Sequence, residues 1–300
     1  MFKIKNLIMR LFLTVITQIF LLFRYFLLMD EHSFNKFPFH NICKGKKAMI
    51  MGNGPSLKKL LVEYENGEIE ISHDSFFVNM APLNDSFYKI KPKHLFLSDF
   101  VFARDTENRV DNVRKMYSRL QNEVDWPLTI FLTFSKRKYC RQLIAYSAIT
   151  NPNIRFVFLN RKYCNGLAPV LRNWLYNKGW FMPVEGTVLN TALYTAILEG
   201  YDEVELHGAE TSMFLDIRVN DNNQVGIIEK HFYDGDKFLP LMKDDGSPSK
   251  VKDFLHSVWH MLNSYDLLSQ FAKYKGVKVF NCTPQSMIDS FDRKKSSIYD

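Results

Sequence analysis

Seven short apolar runs alternate with longer amphipathic segments along this chain, and that alternation restricts the fold more than any other feature. The runs lie at 48–51, 76–79, 94–97, 129–132, 155–158, 203–207 and 277–281, and helical periodicity is predicted near 56–65, 106–121, 136–147, 187–199 and 251–275. Strands that alternate with helices form βαβ units, so the fold class predicted is α/β: a mostly parallel sheet with helices on both faces. No fixed-period repeat interrupts the pattern. A chain of 300 residues, 46% apolar and 24% charged, is too hydrophobic for disorder and has the wrong composition for collagen or a disulfide scaffold. Cys43, Cys140, Cys164 and Cys282 form no C-x-x-C pair, which leaves them as reduced, mostly buried thiols of a cytosolic protein.

The net charge of +7 is unevenly placed. Residues 1–60 hold ten Lys/Arg against Asp30 and Glu31, whereas the remainder carries 29 bases against 30 acids. A balanced body argues against a nucleic-acid footprint. Within the basic portion, residues 6–29 contain no acid, proline or glycine and predict a helix. The stretch between Arg10 and Arg24 spans about 20 Å as a helix, short of a hydrocarbon core of about 30 Å. Thr14, Thr17 and Gln18 add polarity to its middle, and Asp30-Glu31-His32 stands where a signal-peptide cleavage site would be. The reading preferred is a helix lying in the interface of an anionic cytoplasmic leaflet, with Lys36, Lys44, Lys46 and Lys47 adding attraction. Burial of the helix against the protein body is the alternative.

Polar residues collect where the predicted strands end. The first strand runs into Gly52-Asn53-Gly54-Pro55-Ser56, a glycine-rich turn followed by a proline-initiated helix. Such a helix N-terminus offers backbone N–H groups and a favourable dipole to a phosphate. The sequence is neither G-x-G-x-x-G nor a P-loop. Asn79 closes the second strand, and Ser98 and Asp99 close the third. Glu185-Gly186-Thr187 opens a further helix, Gly208 follows the sixth strand, and Asn281-Cys282-Thr283-Pro284-Gln285-Ser286 follows the last. Ligands of open α/β sheets bind at these carboxyl ends.

Residues 211–250 break the alternation with turn formers such as VNDNNQVG and KDDGSPS, and are predicted to be an irregular lid. Lys230-His231-Phe232-Tyr233 is an isolated cluster within it. Asp234-Gly235-Asp236 is a literal D-x-D, read as an ordinary turn in preference to a metal–diphosphate motif. His256 and His260 have metal-capable spacing on a helix but lack a third ligand, and are read as core or surface histidines.

Taken in order, GNGPSL, EGTVLNTALYTAILEGYDEVELHGAE and NCTPQS resemble the bacterial CMP-sialic-acid-dependent sialyltransferases that build lipooligosaccharide and O-antigen, over roughly residues 46–290. The resemblance implies a Rossmann-like nucleotide-binding sheet, a GT-A-like variant with a lid, and inverting transfer from a CMP donor without a metal or other cofactor. It places Gly52, Asn53, Gly54, Ser56, Asn79, Gly186, Thr187, Gly208, Pro284 and Ser286 against the donor. Ser98 or Asp99 stands where the family has a second asparagine, and Met182-Pro183-Val184-Glu185 stands where it has an arginine. It puts the lid base at His231, with Tyr233 and Lys230 on the phosphate side. A histidine suits that role because its ordinary pKa lies near 6.5.

The expected division is a membrane-associating helix and linker (1–40), a nucleotide-binding α/β domain (41–210), a lid (211–250) and a completing helix and strand (251–300). The expected partners are a CMP-sugar, a glycan or lipid-linked acceptor and the membrane surface, at the cytoplasmic face of an inner membrane. Two rival readings stay open: a Mg²⁺-dependent pterin pyrophosphokinase-like enzyme, which shares the G-x-G-P-S opening, and a non-catalytic polysaccharide-assembly protein.

Overall fold

A computed structural model describes residues 2–27, 37–103, 110–133, 137–164, 166–229, 237–243 and 246–296. The chain begins with α1 (Phe2–Leu27), followed by β1 (Lys47–Met51), α2 (Pro55–Glu65), β2 (Asp74–Val78), α3 (Asp85–Ile90) and β3 (His94–Leu97). Next come α4 (Val110–Glu123), β4 (Leu128–Leu132), α5 (Arg137–Ser147), β5 (Ile154–Phe158), α6 (Pro169–Asn177), α7 (Val188–Glu199) and β6 (Glu203–His207). A small antiparallel sheet of β7 (Ile217–Val219), β8 (Val225–Glu229) and β9 (Lys237–Pro240) precedes α8 (Val251–Lys275), β10 (Lys278–Asn281) and β11 (Asp292–Arg293).

The main sheet has eight strands in the order β11-β10-β6-β1-β2-β3-β4-β5, and every pairing is parallel. From β1 the chain winds outward to β5 and then crosses back to lay β6 on the other side of β1. This doubly wound, Rossmann-like plan sets its switch point between β1 and β6. Side-chain alternation divides the core. Met49 and Met51 face a layer containing α2–α5, whereas Ala48 and Ile50 face α6, α7 and α8. All twelve residues of α7 are buried, which suits a helix apolar on nearly every side. On the same face Phe96 and Phe131 stack with centroids 4.9 Å apart. Burying one such ring contributes about 1.5–3 kcal/mol.

At the amino ends of the strands, opposite the candidate site, a polar network ties layers together. The Glu199 carboxylate is fully buried, 2.7 Å from His94 Nε2 and 3.0 Å from Lys93 Nζ. Lys93 also reaches Asp74 at 3.2 Å and the Tyr201 hydroxyl at 2.6 Å. Its ammonium compensates a carboxylate that burial alone would penalise.

Among the described residues no helix is long and apolar enough to cross a membrane. The later half of α1 lies against the body. Leu21, Leu22, Tyr25 and Phe26 pack on the core, Tyr25 meets Phe181 edge-on at 5.9 Å, and Gln18 accepts a hydrogen bond from Ala168 N at 2.6 Å. On another side Phe12, Ile19, Phe20 and Phe23 are 62–66% exposed. The helix therefore docks on the body along one side and leaves apolar side chains exposed on another.

The described residues of 211–250 include regular strands where an irregular segment was predicted. Asn220 N–H donates to Gln224 O at 3.0 Å, so the turn formers VNDNNQ close a hairpin between β7 and β8. The error came from reading turn chemistry without the short strands that flank it.

Candidate functional site

The carboxyl ends of β6, β1, β2, β3 and β4 form the crest of the sheet, and the sequence-predicted residues gather there in three groups. At the switch point, Gly52 N–H donates to His207 O at 2.7 Å and Gly54 N–H to Gly208 O at 2.9 Å. A Cβ at Gly52 would lie 2.2 Å from Gly208 O, and one at Gly54 would lie 1.7 Å from Glu210 Oε2. Close main-chain approach and the Glu210 side chain thus account for both glycines. Ser56 N–H donates to Glu210 Oε1 at 2.6 Å, so the α2 N-terminus predicted to hold a phosphate already holds an internal carboxylate. An anion at a helix N-terminus is stabilising whether it comes from a ligand or from the chain.

The second group lies over β2 and β3. Asn79 takes a left-handed conformation (φ +51°) and its N–H donates to Phe96 O at 2.9 Å. Its Oδ1 is buried with no hydrogen-bond partner. Beside it the exposed Asn53 leans in, with Nδ2 3.5 Å from Val78 O. Two side-chain amides from adjacent strand ends therefore share the crest. Asp99 is exposed and caps its own turn by accepting from Val101 N at 3.1 Å.

The third group surrounds Glu185, a carboxylate that the sequence reading passed over as a candidate. Its side chain is 3% exposed and pairs with Arg161 Nε at 3.0 Å. Thr133 Oγ1 donates to its Oε1 at 2.9 Å. Burial pushes its pKa up from the usual carboxylate range, against the opposing pull of Arg161, Thr133, Thr191 and Ser98. Ser98 therefore faces Glu185. Gly186 and Thr187 stand beside it at the start of α7, but both of their N–H groups donate to Asn190 Oδ1, at 3.1 and 3.0 Å. This capping interaction takes the amides that were expected to bind a sugar carboxylate. The Thr187 hydroxyl lies 3.3 Å from the Tyr265 hydroxyl.

Beyond α2, a cavity of about 590 Å³ is lined by Ser56, Gly208 and Pro284, together with His207, Cys282 and Lys294. A groove of about 910 Å³ runs between α2 and α3 from Asn53 and Gly54 to Met80 and Asn84. Ser286 lines neither. It is buried, and its hydroxyl donates to Ala209 O at 2.6 Å, stapling the loop after β10 to the loop after β6. Its hydroxyl proton is thus used within the protein.

His231, Tyr233 and Lys230, and the Asp234-Gly235-Asp236 turn, lie outside the described residues. His256 and His260 stack edge-on with rings 4.3 Å apart, and no third metal ligand joins them among the described residues. No protein-family model, curated protein or solved structure matches this chain.

Proposed function

We propose that this chain is an inverting, metal-independent glycosyltransferase, sialyltransferase-like in its chemistry. It transfers sialic acid or a related nonulosonic acid from a CMP donor to a galactose-type hydroxyl of a lipooligosaccharide or O-antigen precursor. The observation that carries this reading is Asn79, whose buried, unpartnered Oδ1 sits beside Asn53 at the carboxyl end of a central parallel strand. A buried acceptor without a donor costs free energy, and a ribose hydroxyl or a cytosine amino group would relieve that cost.

With the Ser56 amide already engaged by Glu210, neutralising the departing phosphate falls to Lys230 and Tyr233. His231 takes the proton of the acceptor hydroxyl. Glu185, buried on the crest, orients Ser98 and Thr133 and holds Arg161 in place. The exposed apolar side of α1 supports placement on the inner-membrane surface, where a lipid-linked acceptor is presented.

The test is CMP release by the purified full-length protein from a CMP-nonulosonate, with and without a chelator. The expected result is release that survives chelation and falls about 10²–10⁴-fold in His231→Ala. Turnover that requires Mg²⁺ and ATP would support a pyrophosphokinase instead, and no release from any CMP-sugar would refute the proposal.

A further inference from the structure

Glu205 and His207 are two residues apart on β6, so strand alternation turns both to one face. β10 pairs with β6 in the register Phe280↔Glu205 and Asn281↔Leu206, which brings Cys282 level with His207 on that same face. The neighbouring residues Val204 and Leu206 point the other way, into the α6–α8 core. The segment after β11 closes over the polar trio with Lys294 and Ser296. His207 Nε2 lies 3.1 Å from Glu205 Oε2, and the carboxylate, imidazole and thiol donor atoms all lie within 4.8 Å of one another. Glu205 and His207 are buried, while Cys282 is partly accessible on the wall of the 590 Å³ cavity.

We propose that Glu205, His207 and Cys282 form a mononuclear site for a borderline-soft divalent transition metal, Zn²⁺ foremost, open on its fourth side to the cavity. Thiolate, imidazole and carboxylate together are a donor set that Zn²⁺ favours and that Mg²⁺ or Ca²⁺ does not. Bonds of about 2.0–2.3 Å to one ion place tetrahedral donors about 3.3–3.6 Å apart, so the His207–Glu205 pair at 3.1 Å opens slightly around the metal and the wider separations, none above 4.8 Å, close. Three protein ligands leave one position for water or another small ligand. In the metal-free protein Lys294 serves as counter-ion, 3.2 Å from Glu205 Oε1. It also pairs with Glu203 at 2.6 Å, a second carboxylate to hold it once the metal is bound. Ser296 Oγ donates to Glu205 Oε2 at 2.5 Å and lies 3.3 Å from His207 Nε2, so it holds the two ligands together until the metal takes its place. The site belongs to β6 and β10, whereas Asn53 and Asn79 follow β1 and β2, so it stands independently of the transferase reading.

The test titrates the chelator-treated full-length protein with Co²⁺ by absorption and with Zn²⁺ against a chromophoric chelator. The result expected is one ion per chain and a near-ultraviolet thiolate-to-cobalt charge-transfer band. Cys282→Ser loses the band and binds Zn²⁺ at least about tenfold more weakly, the scale on which even outer-shell changes act. Lys294→Met binds more tightly, because the competing ammonium is gone. As a readout that needs no variant, Zn²⁺ slows alkylation of Cys282 in the wild-type chain, followed by peptide mass spectrometry; Cys43, Cys140 and Cys164 are buried and serve as internal controls. Absence of the band, a band that persists in folded Cys282→Ser, or an alkylation rate indifferent to Zn²⁺ overturns the proposal.

Discussion

Replacing Glu210 with alanine tests the internal-anion account of the α2 terminus. Glu210 Oε1 accepts from Ser56 N–H at 2.6 Å, a short charge-assisted hydrogen bond made at the positive end of a helix. Hydrogen bonds to charged groups contribute about 1.5–3 kcal/mol, and a charge at a helix terminus about 0.3–1 kcal/mol. Part of that is offset because Glu210 Oε2 is buried without a partner. The net loss expected for Glu210→Ala is therefore about 2 kcal/mol, and Glu210→Gln, which keeps an acceptor but no charge, should lose about half of it. In a chain of 300 residues such a loss lowers Tm by about 3 °C. The variant also frees the Ser56 amide that the carboxylate held, so inorganic phosphate should stabilise Glu210→Ala far more than wild type. Saturation to a hundred times Kd restores about 2.7 kcal/mol. Thermal unfolding in a phosphate series provides both readouts. If Glu210→Ala is as stable as wild type, or phosphate stabilises the two equally, the internal-anion account is refuted.

Gly52→Ala places a Cβ 2.2 Å from Gly208 O, and separating β1 from β6 should cost about 3 kcal/mol in urea unfolding; a neutral result would mean the turn yields freely. Burial raises the Glu199 pKa, but the hydrogen bond and charge of His94 and the Lys93 ammonium outweigh it and leave the pKa below its ordinary value. Its contribution to stability is accordingly present above the unfolded carboxylate value of about 4.3 and lost as pH falls through the lower folded value. Lys93→Met should remove about 3 kcal/mol and move acid unfolding, followed by circular dichroism, to higher pH. Polar replacement of Phe12, Phe20 and Phe23 on α1 should abolish sedimentation with anionic vesicles and leave Tm unchanged, whereas Tyr25→Ala should cost about 2 kcal/mol, less than a fully buried aromatic.

Seven of the eight strands of the main sheet were legible, as short apolar runs between turn signals; β11, two exposed polar residues, has no such run. His94–Leu97 and Glu203–His207 match their predicted spans, and the helix predicted at 251–275 is α8. What escaped notice was short or distant in sequence. At six and nine residues, α3 and α6 are too brief for a periodic signal. The β7–β8 hairpin was concealed by the polar residues that close it. At the site, Asn79 was legible as a polar residue ending a buried strand. Glu210 was not, because its partner Ser56 is 154 residues away and a lone glutamate after a strand has no local signature. The same holds for Glu185, whose partners Thr133 and Arg161 come from other strand ends. Sequence located the crest of the sheet; only the fold revealed which amides there were already taken.

Calorimetric titration of the full-length protein with CMP, repeated on Asn79→Gly, tests the central claim most directly. Glycine keeps the left-handed backbone of Asn79 without strain and removes only the amide. The account predicts CMP binding that weakens about tenfold in the variant, the equivalent of about 1.4 kcal/mol. Absence of CMP binding, or equal affinity in both proteins, would contradict it.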